Sequence, residues 1–173
     1  MRYVRPINLF QDLLKLKASQ RGRFLGLDVG DKYVGLAVSD YHNEIASPLR
    51  VLLRKKSNIG LMAADFQSLK SEFSLSGFIF GYPFYRNKNS PDAIQVKLLV
   101  EDLCKTGVLE GLKYTFWDEC FTSKITELLI KDLNMHPVQY KSAMDKFAAV
   151  GILQGYLDFA NKHSKLRSNE DFL

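Results

Sequence analysis

Phe24-Leu25-Gly26-Leu27-Asp28-Val29-Gly30-Asp31-Lys32-Tyr33-Val34-Gly35-Leu36-Ala37-Val38-Ser39 is the stretch whose reading decides the fold. Residues 24–29 are almost continuously apolar, the pattern of a central strand covered on both faces. Gly30-Asp31-Lys32 supplies a tight turn, and the second apolar run, 33–39, returns as the other half of a β-hairpin. Asp28 breaks the pattern. A lone carboxylate inside a buried strand is costly unless it is paired or holds a cation. Gly26, two residues back, shares the face of Asp28, and its missing side chain leaves room for a ligand. The competing explanation is an aspartate at a strand end that caps the following turn.

Outward from the hairpin, residues 45–53 read as a third strand, broken early by Pro48 and followed by the basic run Arg54-Lys55-Lys56. Residues 59–74 carry apolar positions at helical period. Phe78-Ile79-Phe80 is a short buried strand that runs into Gly81-Tyr82-Pro83, and the next loop holds Arg86 and Lys88. Ser90-Pro91-Asp92 opens a helix with a capping serine, a first-turn proline and an acid at the positive end. That helix runs to Thr106 and stops at Gly107. Residues 112–117 form a strand that ends in Asp118-Glu119. Thr122 caps a helix to Leu133, His136-Pro137 breaks the chain, and Ser142 caps a last helix to Asn161. Upstream, residues 6–18 read as a basic amphipathic helix whose apolar face needs a partner, and 19–22 as a linker. The predicted organisation is an N-terminal helix and linker (1–22), one α/β domain (23–162) and a polar, fraying tail (163–173). The domain holds a mixed five-stranded sheet, three antiparallel strands followed by parallel ones, with helices on both faces.

A chain of 173 residues suits one such domain, and 46% hydrophobic with 25% charged residues excludes disorder as its main state. No apolar run approaches the roughly 20 residues of a membrane span. Cys104 and Cys120 cannot form a disulfide framework, and His42, His136 and His163 are isolated, so no Cys/His zinc pattern exists. Residues 1–23 hold six basic residues and one acid, and so carry the whole net charge of +5; the remainder is balanced. That basic segment suits a solvated helix face, a nucleic-acid contact, an anionic surface or a targeting peptide.

Two further acidic positions join Asp28. Asp118 and Glu119 are neighbours at a strand end, so only one of them shares a face with Asp28. Asp145 lies three residues after Ser142, where a first-turn acid gains under about 1 kcal/mol from the helix dipole. It also borders the apolar Phe147-Ala148-Ala149, and Ala148, Gly151 and Gly155 permit close helix–sheet approach. Three acids from three separate elements make the constellation that a two-Mg²⁺ phosphoryl-transfer site requires. Hard cations prefer carboxylate oxygens, and two ions stabilise both the attacking and the leaving oxygen.

The stretch 24–40 closely resembles the opening motif of the YqgF/RuvX family, ribonuclease H-like proteins described as pre-16S rRNA nucleases and, earlier, as Holliday junction resolvases. Phe80-Gly81-Tyr82-Pro83 resembles that family's Gly-x-Pro loop. Asp118-Glu119 with Thr122-Ser123 resembles its Asp-Glu-Arg-x-Thr-Ser block. Asp145, Ala148-Ala149 and Ile152-Leu153-Gln154-Gly155-Tyr156-Leu157 resemble its last helix. The resemblance implies a ribonuclease H-like fold and a metal set of Asp28, Glu119 and Asp145. In that set Asp28 bridges two Mg²⁺ ions, for which Mn²⁺ substitutes. It implies hydrolysis of structured RNA, a ribosomal RNA precursor, in the cytoplasm, with ribosomal precursor particles as partners and no membrane. The basic N-terminus leaves organelle import open, and a homodimer is also left open. Lys32, Arg54, Lys55, Lys56, Arg86 and Lys88 are candidate phosphate contacts. Cys120 departs from the family's usual Arg, Tyr33 from a common basic residue, and the loop after Pro83 from its usual Asp-Gly pair.

Three other readings stand beside this one. A junction resolvase would use the same carboxylates on branched DNA. An inactive nucleic-acid or ribosome-binding module is compatible with Cys120, but clustered acids do not help a phosphate-binding surface. A sugar-kinase or actin-type ATPase also uses Asp-x-Gly in a hairpin, yet needs two such domains to close over its nucleotide.

Overall fold

A computed structural model describes residues 1–119, 131 and 134–170. The helix expected between Thr122 and Leu133 lies outside the described residues, apart from 131, as do Cys120 and the Thr122-Ser123 pair. The hairpin forms as its sequence dictates. β2 (Arg23–Val29) and β3 (Tyr33–Ser39) pair antiparallel, and the Gly30 N–H donates across the turn to the Tyr33 carbonyl at 2.9 Å. β4 (Ala46–Leu53) continues the antiparallel sheet beside β3. It passes straight through Pro48 because β4 is an edge strand, and the register slips between Leu36 and Ala37, opposite that proline. A missing N–H is tolerated at an edge or a bulge.

On the other side of β2, β5 (Leu75–Tyr82) and then β6 (Lys113–Asp118) run parallel to it. All five expected strands are present, and a sixth adds to them. β1 (Arg2–Tyr3) pairs in parallel with Lys113 and Tyr114, giving the order β1-β6-β5-β2-β3-β4. Two residues carry no readable periodicity, which is why this strand escapes a sequence reading.

Helices cover both faces. α2 (Ile59–Glu72) and α3 (Pro91–Lys105) bury Met62, Phe66, Val96 and Leu99 against Leu27 and Phe80. Ser90 caps α3 as expected, accepting from the Ala93 N–H at 3.4 Å. On the opposite face, α1 (Pro6–Leu14) and α4 (Pro137–Glu170) bury Leu9, Phe10, Phe24, Leu153 and Tyr156 together. The Tyr156 hydroxyl donates to the Pro6 carbonyl at 3.0 Å, so α1 is built into the core of the domain.

α4 corrects the expected last helix at both ends. It starts at Pro137 rather than after Ser142. His136 takes the capping role, its Nδ1 accepting from the Val138 N–H at 3.4 Å and its carbonyl from Tyr140. A proline in the first helical position loses nothing by lacking an N–H. At the far end the helix continues to Glu170 instead of fraying at His163. There the His163 ring packs on Phe159 and Ser164 Oγ donates to the Asn161 carbonyl.

Candidate active site

The three acids converge at one end of the sheet because of where glycines permit close approach. Gly26, Asp28 and Gly35 lie beneath α4, since Asp28 pairs directly with Gly35 and residues opposite one another share a face. A Cβ on Gly26 would come within 2.7 Å of the Leu153 Cβ, and one on Gly35 within 2.1 Å of the Asp145 carbonyl oxygen. The helix therefore lies down on two bare backbone positions, and Asp145 is set over β3 beside Asp28. Because α4 begins at Pro137, Asp145 sits in its third turn, where the first-turn dipole explanation no longer applies.

Glu119 reaches the same end from the other side. Its N–H donates to the Tyr82 carbonyl at 3.3 Å, extending the β5–β6 ladder by one residue. Trp117 packs its ring on Tyr156 and Phe159 of α4. Strand alternation then turns Glu119 to the α4 face and Asp118 to the opposite one, the choice that the family resemblance implies.

The electrostatics record this proximity. The Asp28 carboxyl is pushed from 3.8 up to about 7, first by burial and then by the negative charges of Glu119, Asp145 and Asp92. Glu119 is raised by burial and by Asp92 and Asp118, with Arg86 pulling it back. Asp145 is raised by burial against the opposing charge of Lys141. Glu119, Asp145 and Asp92 each act on Asp28, and Asp92 acts on Glu119 as well, so Asp28 is the acid that its neighbours crowd most. Among the described residues no three His, Cys, Asp or Glu side chains close into a ready-made cage around one ion. The all-oxygen donor set of Asp28, Glu119 and Asp145 nevertheless has the chemistry that hard divalent cations prefer, and these are the residues that would hold them.

Asp92 is the residue that sequence reasoning missed. It was legible only as a helix-end acid, but β5 lies next to β2, so the first turn of α3 returns to the carboxylate end. Its carboxylate is paired with Arg86. The other candidate cations divide into two groups. Arg54 is half-buried and committed, donating to the Gly30 carbonyl at 3.1 Å and the Gln95 carbonyl at 3.0 Å. Lys55 pairs with Asp65 at 2.9 Å, and Lys56 with Asp31. Arg86, whose charge is felt at Glu119, lies at the carboxylate end, and Lys88 is exposed in the same loop. Lys32 lines a groove with Asp145.

This sheet order, with a helix laying an acid against the central strand, defines the ribonuclease H-like class. Solved structures agree at the level of fold. Thermus thermophilus RuvC in complex with a Holliday junction substrate superposes with a TM-score of 0.53, covering 81% of this chain and 96% of that one at 13% identity. The chain belongs to the RuvX family, whose model, described as a Holliday junction resolvase, matches residues 22–159. Relatives from Lachnospira eligens and Carboxydothermus hydrogenoformans are 33% and 34% identical, over 81% and 82% of this chain and 99% of each relative. Both bear the name "Putative pre-16S rRNA nuclease".

Proposed function

We propose that this protein is a divalent-cation-dependent nuclease that hydrolyses phosphodiester bonds in structured RNA, with precursor ribosomal RNA as its substrate and the cytoplasm as its place of work. The observation that carries the reading is Asp28, buried on the central strand and raised to about 7 by that burial and by the charges of Glu119, Asp145 and Asp92. A binding surface for phosphate gains nothing from such a cluster, whereas a cation site needs it. Asp28 would hold the shared position, with Glu119 and Asp145 each completing one side. Mg²⁺, with Mn²⁺ as a substitute, supplies Lewis-acid neutralisation of the charge that builds on the phosphate oxygens. The chain's own part is to fix three oxygen donors on rigid elements and to hold Arg86 where it can meet a phosphate beside Glu119. The choice of RNA follows the names of the relatives.

The family description favours a second reading, resolution of branched DNA. One panel separates the two. Cleavage of matched structured RNAs and four-way DNA junctions is measured with Mg²⁺, Mn²⁺ or EDTA, with Asp28→Asn as control. Cation-dependent cleavage of RNA, lost in Asp28→Asn, supports the proposal. Cleavage of the junction alone moves the protein to the second reading, and cleavage of neither substrate removes both.

A further inference from the structure

A groove of about 590 Å³ opens beside Asp145, walled by Lys32, Tyr33, Leu53, Val138 and Lys141. Its volume falls in the roughly 300–1,000 Å³ range of sites that enclose small organic groups. Its chemistry is mixed in a particular way. Leu53 and Val138 are exposed at 58% and 71%, an apolar wall left open to solvent. Tyr33 presents an aromatic ring, 38% exposed, with the Lys141 ammonium 5.5 Å from its centroid. Two lysines face one aspartate, and that aspartate marks the end nearest Asp28. Tyr33 shares the face of Gly35, over which Asp145 sits, and is two residues, about 7 Å, further along β3.

We infer that this groove binds one unpaired nucleotide of the substrate strand, its base against Tyr33 and the apolar wall, its phosphate against Lys141 and Lys32. The inference rests on the nuclease reading and narrows its substrate to strands with unpaired residues next to the scissile bond. A base buried in a duplex offers no free face to an aromatic ring, whereas an unpaired base does, and stacking tolerates any base identity. Charge complementarity selects the occupant: an apolar peptide would use the wall but leave both lysines idle.

The test is equilibrium binding of the full-length protein, in EDTA, to two RNAs that differ only in a short single-stranded tail on the same duplex. Wild type should bind the tailed RNA more tightly. Tyr33→Ala should lower affinity for the tailed RNA by roughly 5- to 150-fold, the range for loss of one stacked base, and leave the blunt duplex unchanged. Tyr33→Phe, which keeps the ring, should retain tail binding. Lys141→Ala should reduce the salt slope on the tailed RNA by about 0.7, one phosphate's worth. Val138→Glu guards against misfolding: an acid in the first turn suits α4, yet it places negative charge in the groove and should also abolish the tail preference. Equal tail preference in Tyr33→Ala and wild type overturns the inference while nuclease activity stands. Failure of wild type to bind or cleave any nucleic acid overturns the nuclease reading and the groove assignment with it. A dimer dissociated by Val138→Glu with the tail preference intact assigns the groove to self-association and also overturns it.

Discussion

Asp28 makes the protein's stability fall where most proteins are steady. In the fold its carboxyl keeps its proton to about pH 7, because ionisation there faces burial and three neighbouring acids, whereas the unfolded chain releases it near 3.8. Between those values the native state binds more protons than the unfolded one, so stability declines as pH rises from about 4 to 7 and then levels. A rise of about 3 pH units, at 1.36 kcal/mol each, amounts to about 4 kcal/mol. For a domain of this size that is a fall in Tm of very roughly 8–16 °C between the two plateaus. Asp12, Asp31 and Asp40 are shifted downward, so their stabilisation is full above about 3.8 and is lost only as pH falls from there through their folded pKa values, below the window from pH 5 to 8; Glu119 and Asp145 are raised like Asp28 and add to the decline in the same direction. Thermal melts of the metal-free protein across pH 5–8 should show the decline, and Asp28→Asn should remove most of it by raising stability at the alkaline end. A wild-type profile that is flat or rising through this window, or an Asp28→Asn profile parallel to it, would refute the account of Asp28 as a buried, mutually repelled acid.

Four other outcomes follow from the same geometry. At pH 8, Mg²⁺ at a hundred times its Kd should stabilise wild type by about 2.7 kcal/mol and Asp28→Asn far less, read as a shift in Tm. Glu119→Gln should reduce turnover by orders of magnitude and Asp118→Asn by little; the reverse order in a single-turnover assay would mean that β6 faces the other way. Gly35→Ala puts a Cβ 2.1 Å from the Asp145 carbonyl oxygen and should lower both Tm and turnover, because α4 must lift off β3. Leu13→Ala, at a position 4% exposed, should cost about 2–5 kcal/mol in chemical denaturation while leaving the salt dependence of RNA binding unchanged, since α1 is packed structure.

The hairpin, the parallel strands and α3 were legible because each carries its own signal: apolar runs of strand length, a glycine turn, a serine–proline cap. Alternation showed that only one of Asp118 and Glu119 could face Asp28, and the family resemblance pointed to Glu119. What the sequence hid depends on contacts made at a distance. β1 is two residues long and exists only because β6 offers an edge. Ser142 looked like a cap, but His136 and Pro137 begin the helix six residues earlier, which changes Asp145 from a dipole-satisfied acid into a placed one. Asp92 and the committed state of Arg54 could not be read either, since the first needs the adjacency of β2 and β5 and the second needs Gln95 on α3 to accept its guanidinium.

α4 also has a mechanical character. It is 34 residues long, about 51 Å, and its middle is bolted to the β3–β4 hairpin. Gln154 bonds the Ala46 N–H and the Glu44 carbonyl, each at 2.8 Å, and Asn161 donates to the Asn43 carbonyl at 2.8 Å. Asp145 lies nine residues ahead of that anchorage, about 13 Å along the axis, where its carbonyl rests over Gly35 and Lys141 lies over the Tyr33 ring. The helix is thus a beam with its fulcrum near Gln154. A tilt of about 5° moves the Asp145 end by about 1 Å, against a lever arm fixed by helix rise. Ala149, Ile152 and Leu153 are buried between Asp145 and that anchorage, so the gap between Asp145 and Asp28 is tied to the inclination of the helix, and a change in that inclination must also repack the core beneath it.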